Sequence, residues 1–180
     1  ALRGVSDGLA IMLGTGVGGA LLIGGRPHLG PRGGAGEIGH TPGYPGHRCT
    51  CGGVGHLETL ASGRSLALRY ADLTGRTGLT GSDIAVAARR GDSAAVEVFT
   101  CAARALAQGI VVATTLLDLT DVVVGGGVTA AWDLLGPLLT EALVTDPPVT
   151  VPIPGVHRAT LANPALGAAA RALDLKETVS

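Results

Sequence analysis

The chain is short of aromatic side chains, lysine, cysteine and net charge, and each shortage removes a class of function. Four aromatics, Tyr44, Tyr70, Phe99 and Trp132, serve 180 residues. That is too few for a base-stacking platform or an interfacial membrane belt. A formal net charge of −1 leaves no electrostatic footprint for nucleic acid or an anionic bilayer. Three cysteines do not make a disulfide framework, and Cys49 and Cys51 stand too close in sequence for an ordinary bridge. Cys101 lies in an apolar helical stretch and is expected to be a small buried hydrophobe. The most apolar run, residues 105–117, is interrupted by Gln108 and is too short to cross a bilayer. With no signal-peptide pattern, the expected setting is soluble, reducing and cytoplasmic, with no membrane partner. The single lysine, Lys176, follows no glycine loop, so a Walker A site is excluded.

Glycine is what the chain has in excess, 30 residues of it. No three-residue period is present, so the excess is not collagenous. Many of these glycines cluster, at 14–19, 24–25, 33–34, 52–55 and 125–127. Clustered glycine marks backbone in unusual conformations or in close approach to something. A biased genome, suggested by twelve arginines against one lysine, accounts for isolated glycines better than for the triplets.

Hydrophobic periodicity gives an order of elements. A buried strand at Gly8–Leu13 enters the glycine turn Gly14–Gly19. A strand at Ala20–Ile23, a Gly24-Gly25 hairpin turn and a strand at Arg26–Leu29 follow. Residues 30–56 have little apolar periodicity and read as a loop with no core of its own. Helices are expected over Leu57–Tyr70, over 83–89 with Ser82 as N-cap, and over Ser93–Leu117. In the last of these the apolar stripe is Val96, Phe99, Ala103, Leu106, Ile110, Thr114 and Leu117. A strand at Asp121–Val124, a helix at Ala130–Leu143, a proline-rich connection, a strand near His157–Leu161 and a helix at Pro164–Leu173 complete the chain. Strands first, then helix–strand–helix alternation, imply an α/β layer architecture.

Three segments carry chemistry. Gly14-Thr15-Gly16 opens a loop whose backbone N–H groups and Thr15 hydroxyl suit an anion, although glycine turns also simply join strands. Gly125-Gly126-Gly127 ends a strand, where α/β folds bind ligands. Together the two loops point to a nucleotide. The richest segment is 36–58. His40, Cys49, Cys51 and His56 place four nitrogen or sulfur ligands within 17 positions, a set that suits tetrahedral Zn²⁺. A loop without a core also gains from such a staple. His47 is a rival ligand, too near Cys49 for easy closure. Glu37 and Glu58 bracket the cluster, either as acceptors for ligand hydroxyls or as solvated charges.

Glu37-x-Gly-His40, followed by Cys49-x-Cys51-Gly-x-x-Gly-x-Leu57-Glu58, closely resembles the signature of the ROK family of sugar kinases and sugar-responsive repressors. Leu13–Gly19 resembles that family's second phosphate loop and Val122–Val128 its adenosine loop. The resemblance extends over essentially the whole chain. It implies one lobe of an actin-like ATPase (ribonuclease H-like) fold, with a zinc-stapled loop insertion. Residues 1–180 would be the C-terminal lobe, with the N-terminal lobe absent. It implies ATP, Mg²⁺ and structural Zn²⁺, with a hexose such as glucose as substrate. Glu37, His40 and Glu58 would meet sugar hydroxyls. His40 would touch sugar with one ring nitrogen and zinc with the other. Gly14, Thr15, Gly16 and Gly125–Gly127 would hold the nucleotide. A homo-oligomer is expected.

Three departures stand out. His56 replaces a usual third cysteine. Asn163-Pro164-Ala165-Leu166-Gly167 replaces an Asn-Asp helix start. The family's Asp-x-Gly-Gly-Thr loop and catalytic Asn-Asp pair would lie upstream of Ala1, so no catalytic residue is assigned and the chain alone is expected to be inactive. A repressor, with nucleic acid as partner, is the main alternative. A zinc-stabilised interaction module is the other.

Overall fold

A computed structural model describes residue 2 and residues 4–149 and 152–159. The expected helix at Pro164–Leu173 lies outside the described residues. Five strands form one mixed sheet in the order β3-β2-β1-β4-β5. β1 (Gly8–Leu13) pairs antiparallel with β2 (Val17–Ile23), and β2 with β3 (Arg26–His28). Gly24 and Gly25 both take positive φ (56° and 74°), as the two central residues of a tight hairpin turn with right-handed strand twist require. The expected glycine turn 14–19 is shorter than its run of glycines. Val17, Gly18 and Gly19 already belong to β2, because each pairs across to β1.

Residues 30–57 follow, with a single 3-10 turn at Ile38–His40. The stretch expected as one helix, Leu57–Tyr70, is two: α1 (Glu58–Ala61) and α2 (Gly63–Thr74). Ser62 breaks them with extended backbone (ψ 155°), and its Oγ accepts from the Ser65 N–H as the cap of α2. α3 (Gly81–Arg89) is capped by Thr80 in place of Ser82. The Thr80 hydroxyl accepts from the Asp83 N–H while the Asp83 carboxylate accepts from the Thr80 N–H, a reciprocal capping box.

α4 (Ser93–Leu117) is the central helix. Asp92 caps it, and the buried Tyr70 hydroxyl donates to the same carboxylate at 2.8 Å, joining α2 to the start of α4. The stripe Phe99, Ala103, Leu106, Ile110 and Thr114 is buried as expected. Val96 and Leu117 are not, at 42% and 43% exposed. The buried surface is wider than a stripe and runs through Ala95, Val98, Ala102, Ala105 and Ala107, because α1, α2, α3 and α5 all pack on this helix. Cys101 falls outside that surface and is exposed, contrary to expectation. At 25 residues α4 is long and apolar enough to cross a membrane, yet over half of its most apolar window is buried within the fold.

β4 (Asp121–Gly125) pairs parallel with β1, and β5 (Gly155–Arg158) parallel with β4. β5 starts two residues before the expected strand and ends at Arg158. A 3-10 turn at Gly127–Ala131 leads into α5 (Trp132–Thr145). Leu9, Ile11, Leu13, Val122 and Val124 alternate onto the face covered by the helices and form the core with Leu57, Leu66, Phe99, Leu106, Ile110 and Leu139. Two small-residue contacts seat the 36–57 segment on this frame. A Cβ at Gly39 would lie on the Val17 carbonyl of β2, and one at Gly109 of α4 would meet Tyr44 Oη at 3.2 Å and Leu57 at 3.3 Å.

Ile110→Ala removes a fully buried branched side chain and is expected to cost about 2–5 kcal/mol, whereas Val112→Ala on the exposed side of α4 should change stability by less than about 0.5 kcal/mol. Urea unfolding of both variants checks the orientation of α4. Gly39→Ala forces the 3-10 turn off β2 and is expected to cost about 1–3 kcal/mol, read in the same titration.

Candidate functional site

The parallel pairing of β1 with β4 decides where the glycine loops meet. Met12 stands opposite Gly125, so the residues after each strand emerge side by side at the carboxyl end of the sheet. After β1, the Gly14 N–H donates to the Gly16 carbonyl at 2.9 Å, closing a tight loop. The Gly14 carbonyl accepts from the Gly63 N–H at 2.8 Å, which pins the loop to the first residue of α2. After β4, Gly126 takes φ 92° with its Cα against the backbone of Leu13, where no side chain would fit.

A cavity of about 810 Å³ opens beside these loops. Gly14, Thr15 and Gly127 line it, with Gly63 and Arg64 of α2, residues of α3 and Val128. Gly16, Gly125 and Gly126 do not. Gly125 is buried at the end of β4 against the Met12 side chain, Gly126 shapes the turn, and Gly16 faces Glu58. The cavity's two cations differ. Arg89 makes a two-pronged pair with Asp133, at 2.8 and 2.7 Å, tying α3 to α5. Arg64 has no ion pair among the described residues. Neither arginine was legible as a site residue, because such positions depend on helix packing remote in sequence.

The segment 36–58 folds back on itself through its glycines. Leu57 N–H donates to the Thr41 carbonyl, and Tyr44 N–H to the Gly55 carbonyl, so the two ends run together. Arg48 bridges to Val54, Cys49 N–H donates to the Gly53 carbonyl at 2.9 Å, and Gly52 and Gly55 take φ of 92° and 68°. That double reversal places both thiols and returns His56 towards them.

The ligand atoms of His40, Cys49, Cys51 and His56 lie within 4.8 Å of one another. Cys49 Sγ is 3.6 Å from His40 Nδ1, and Cys51 Sγ is 3.3 Å from His56 Nδ1. Tetrahedral zinc with ordinary bond lengths separates sulfur from nitrogen by about 3.5 Å, so the residues present fit that ion. Burial is the largest influence on the Cys49 thiol and pushes it up. His47 is not part of the cluster.

Glu37, His40 and Glu58 are contiguous with the cluster. His40 Nε2 lies 3.9 Å from Glu37 Oε2, on the opposite side of the ring from Cys49. Glu58 is the first residue of α1, but its carboxylate is taken up elsewhere. Oε2 accepts from the Val17 N–H at 3.0 Å, and Oε1 accepts from the Thr50 hydroxyl at 2.8 Å and from Cys49 Sγ at 3.5 Å. Burial pulls this carboxyl upward, but the hydrogen bonds from Val17, Thr50 and Cys49 outweigh it and hold it below the usual carboxylate range. Thr50, the middle residue of Cys-x-Cys, is a site residue that spacing alone did not single out.

The ROK family model matches residues 1–174. A glucokinase of Aeropyrum pernix is 38% identical over 146 residues, covering 71% of this chain and 45% of its own length. An N-acetylmannosamine kinase of Escherichia coli is 40% identical over 129 residues, covering 71% of this chain and 43% of its own. The chain therefore spans about half the length of the curated relatives it matches. Among solved structures, a ROK hexokinase from Thermus thermophilus superposes with a TM-score of 0.83 at 32% identity, over 98% of this chain and 60% of that one. A ROK family glucokinase from Streptomyces griseus, in complex with glucose and AMPPNP, gives 0.79 at 32% identity, over 89% and 58%. A ROK family transcriptional regulator, homologous to the E. coli MLC protein, gives 0.73 at 26% identity, over 87% and 42%. The mixed sheet with helices on it, in this company, is consistent with an actin-like ATPase fold. A motif first met as Glu37-x-Gly-His40 and Cys49-x-Cys51 is thus carried by a match along nearly the full sequence, and the chain belongs to the ROK family.

Proposed function

We propose that this chain is the C-terminal lobe of a two-lobed sugar kinase that transfers the γ-phosphoryl group of ATP to a hydroxyl of glucose or a related hexose. The observation that carries this reading is a juxtaposition. The loop whose Gly14 and Thr15 line the cavity and the Cys-x-Cys turn beside His40 are linked by one carboxylate, Glu58, which lies against Gly16, accepts from the Val17 N–H and accepts from Thr50 and Cys49. A donor nucleotide and an acceptor hydroxyl are thereby brought to adjacent positions, which is most of what phosphoryl transfer asks of a protein.

In this reading Gly14 and Thr15 face the phosphates of ATP and its Mg²⁺, Gly16 closes their loop from behind, and Gly125, Gly126 and Gly127 shape the adenosine side. Glu37 and Glu58 accept hydrogen bonds from sugar hydroxyls. His40, Cys49, Cys51 and His56 hold a structural zinc, which fixes the tautomer of His40 so that Nε2 presents a defined face to the sugar. A Cys₂His₂ set is as suitable for zinc as a set with a third cysteine. The base that takes the hydroxyl proton is assigned to the other lobe. The relatives named above, a glucokinase and an N-acetylmannosamine kinase among them, support the sugar class without choosing the sugar.

Metal analysis of the purified protein should find about one zinc per chain, and Cys51→Ser or His56→Ala should lower it below about half an equivalent. A wild-type value already below half counts against the four-ligand site. In a coupled assay with ATP, the full-length protein should phosphorylate glucose, N-acetylmannosamine or a close analogue, and the isolated 180 residues should not. Hexose binding without phosphorylation by the full-length protein would point instead to a sugar-responsive regulator. Absence of any hexose binding would point to a zinc-stabilised interaction module, and rapid turnover by the 180 residues alone would place the base within them.

A further inference from the structure

Glu58 occupies an unusual position for a sugar-binding carboxylate, because both of its oxygens are already engaged by the protein. Oε2 holds the N–H of Val17, the first residue of β2, directly after the loop whose Gly14 and Thr15 line the large cavity. Oε1 holds the Thr50 hydroxyl at 2.8 Å, between the two cysteines. Gly16 stands so close that a Cβ there would fall on Oε2. The carboxylate is a strut between two loops that are otherwise separate in the chain.

The third contact, from Cys49 Sγ at 3.5 Å, is the longest of the three, and a thiol is a weak donor. Thr50, at 2.8 Å, is therefore the stronger side-chain donor to Glu58 among the described residues, and the Val17 N–H at 3.0 Å is its backbone counterpart. A hydrogen bond to a carboxylate is directional and stronger than one between neutral groups. It fixes which lone pairs remain free to accept from a ligand.

Resting on the kinase reading above, we propose that Thr50 is a positioning residue: its hydroxyl, with the Val17 N–H, holds Glu58 in the rotamer that accepts a sugar hydroxyl, and through Val17 the same strut makes hexose affinity depend on the glycine loop. The inference has two consequences that a purely structural threonine would not have. Losing the Thr50 hydroxyl weakens hexose binding while the metal stays. Crowding Gly16, a residue of the loop assigned to phosphates, also weakens hexose binding when no nucleotide is present. Because Glu58 Oε2 is the free end of a flexible side chain, Gly16→Ala displaces the carboxylate more readily than it displaces backbone.

The test uses the zinc-loaded full-length protein and calorimetric titration with glucose and N-acetylmannosamine, without nucleotide. Thr50→Val is expected to raise the Kd of the better-bound sugar by at least about 5-fold, the scale of a lost charged hydrogen bond, with zinc content unchanged. Thr50→Ser, which keeps the hydroxyl, should restore wild-type affinity. Gly16→Ala should raise the same Kd in the absence of nucleotide. A Thr50→Val protein with unchanged hexose affinity, or a Thr50→Ser protein as weak as Thr50→Val, overturns the positioning role. Gly16→Ala with unaltered hexose affinity overturns the link to the loop. Loss of zinc in Thr50→Val beyond that in wild type would assign Thr50 to the metal loop and also overturn the proposal. A wild-type protein that binds neither sugar defeats the kinase reading itself, a different failure from any of these.

Discussion

Everything at the candidate site depends on how closely one coreless segment is allowed to approach the sheet and the central helix. Between Gly30 and His56 few side chains can be buried, so hydrophobic collapse does not order this stretch by itself. What orders it is backbone contact. Gly39 rests on the Val17 carbonyl, Gly36 lies against Gly19 and Ala20 of β2, and Gly109 of α4 leaves room for Tyr44 and Leu57. Each contact works only because a side chain is missing on one partner. The glycine excess, read from composition as either bias or design, has a mechanical meaning at these positions. The chain trades side-chain packing for proximity, and proximity seats the Ile38–His40 turn and its neighbour Glu37 against β2.

The second constraint is topological. β1 belongs to the antiparallel hairpin on one side and to the parallel pair with β4 on the other. The antiparallel side sends the chain straight back through a loop of three residues, Gly14–Gly16. The parallel side demands a long crossover, which α1 to α4 supply. That crossover delivers α2 and α3 to the same end of the sheet as both glycine loops, closing the cavity from above. The cavity is therefore a product of strand order, and the glycines are what keep its floor open.

How far the sequence reveals this can be judged element by element. The β1 strand, the Gly24-Gly25 hairpin, α4 and β4 were all legible, because their apolar periods or turn residues are strong and local. The break at Ser62 was not, since helix periodicity continues through Leu57, Leu60, Leu66 and Tyr70 while a single capping hydroxyl interrupts the backbone. Cys101 and Val96 were misplaced for another reason. A stripe assumes one buried face, and α4 is packed by helices on several sides, so its alanines decide its orientation as much as its large residues. The four metal-ligating residue types were visible from spacing, and the described structure does bring them together. Thr50 and the Arg89–Asp133 pair were not visible, because a hydroxyl or a guanidinium announces nothing until its partner's position is known.

Glu58 connects these constraints. A carboxylate at the first residue of a helix would ordinarily complement that helix's own free N–H groups. Here α1 is a single turn, too short to hold the charge strongly, and the donors that win come from β2 and from the Cys-x-Cys turn. The reason is proximity once more. Gly16 has no side chain, so Glu58 can reach over it to Val17. With a side chain at 16, the carboxylate would be displaced, and β2 and the Cys-x-Cys turn would lose a side chain that hydrogen-bonds to both. The missing Cβ at Gly16 thus serves the Glu58 carboxylate at least as directly as it shapes the turn after β1. That reassigns a glycine whose place in a phosphate-like loop suggested only an anion.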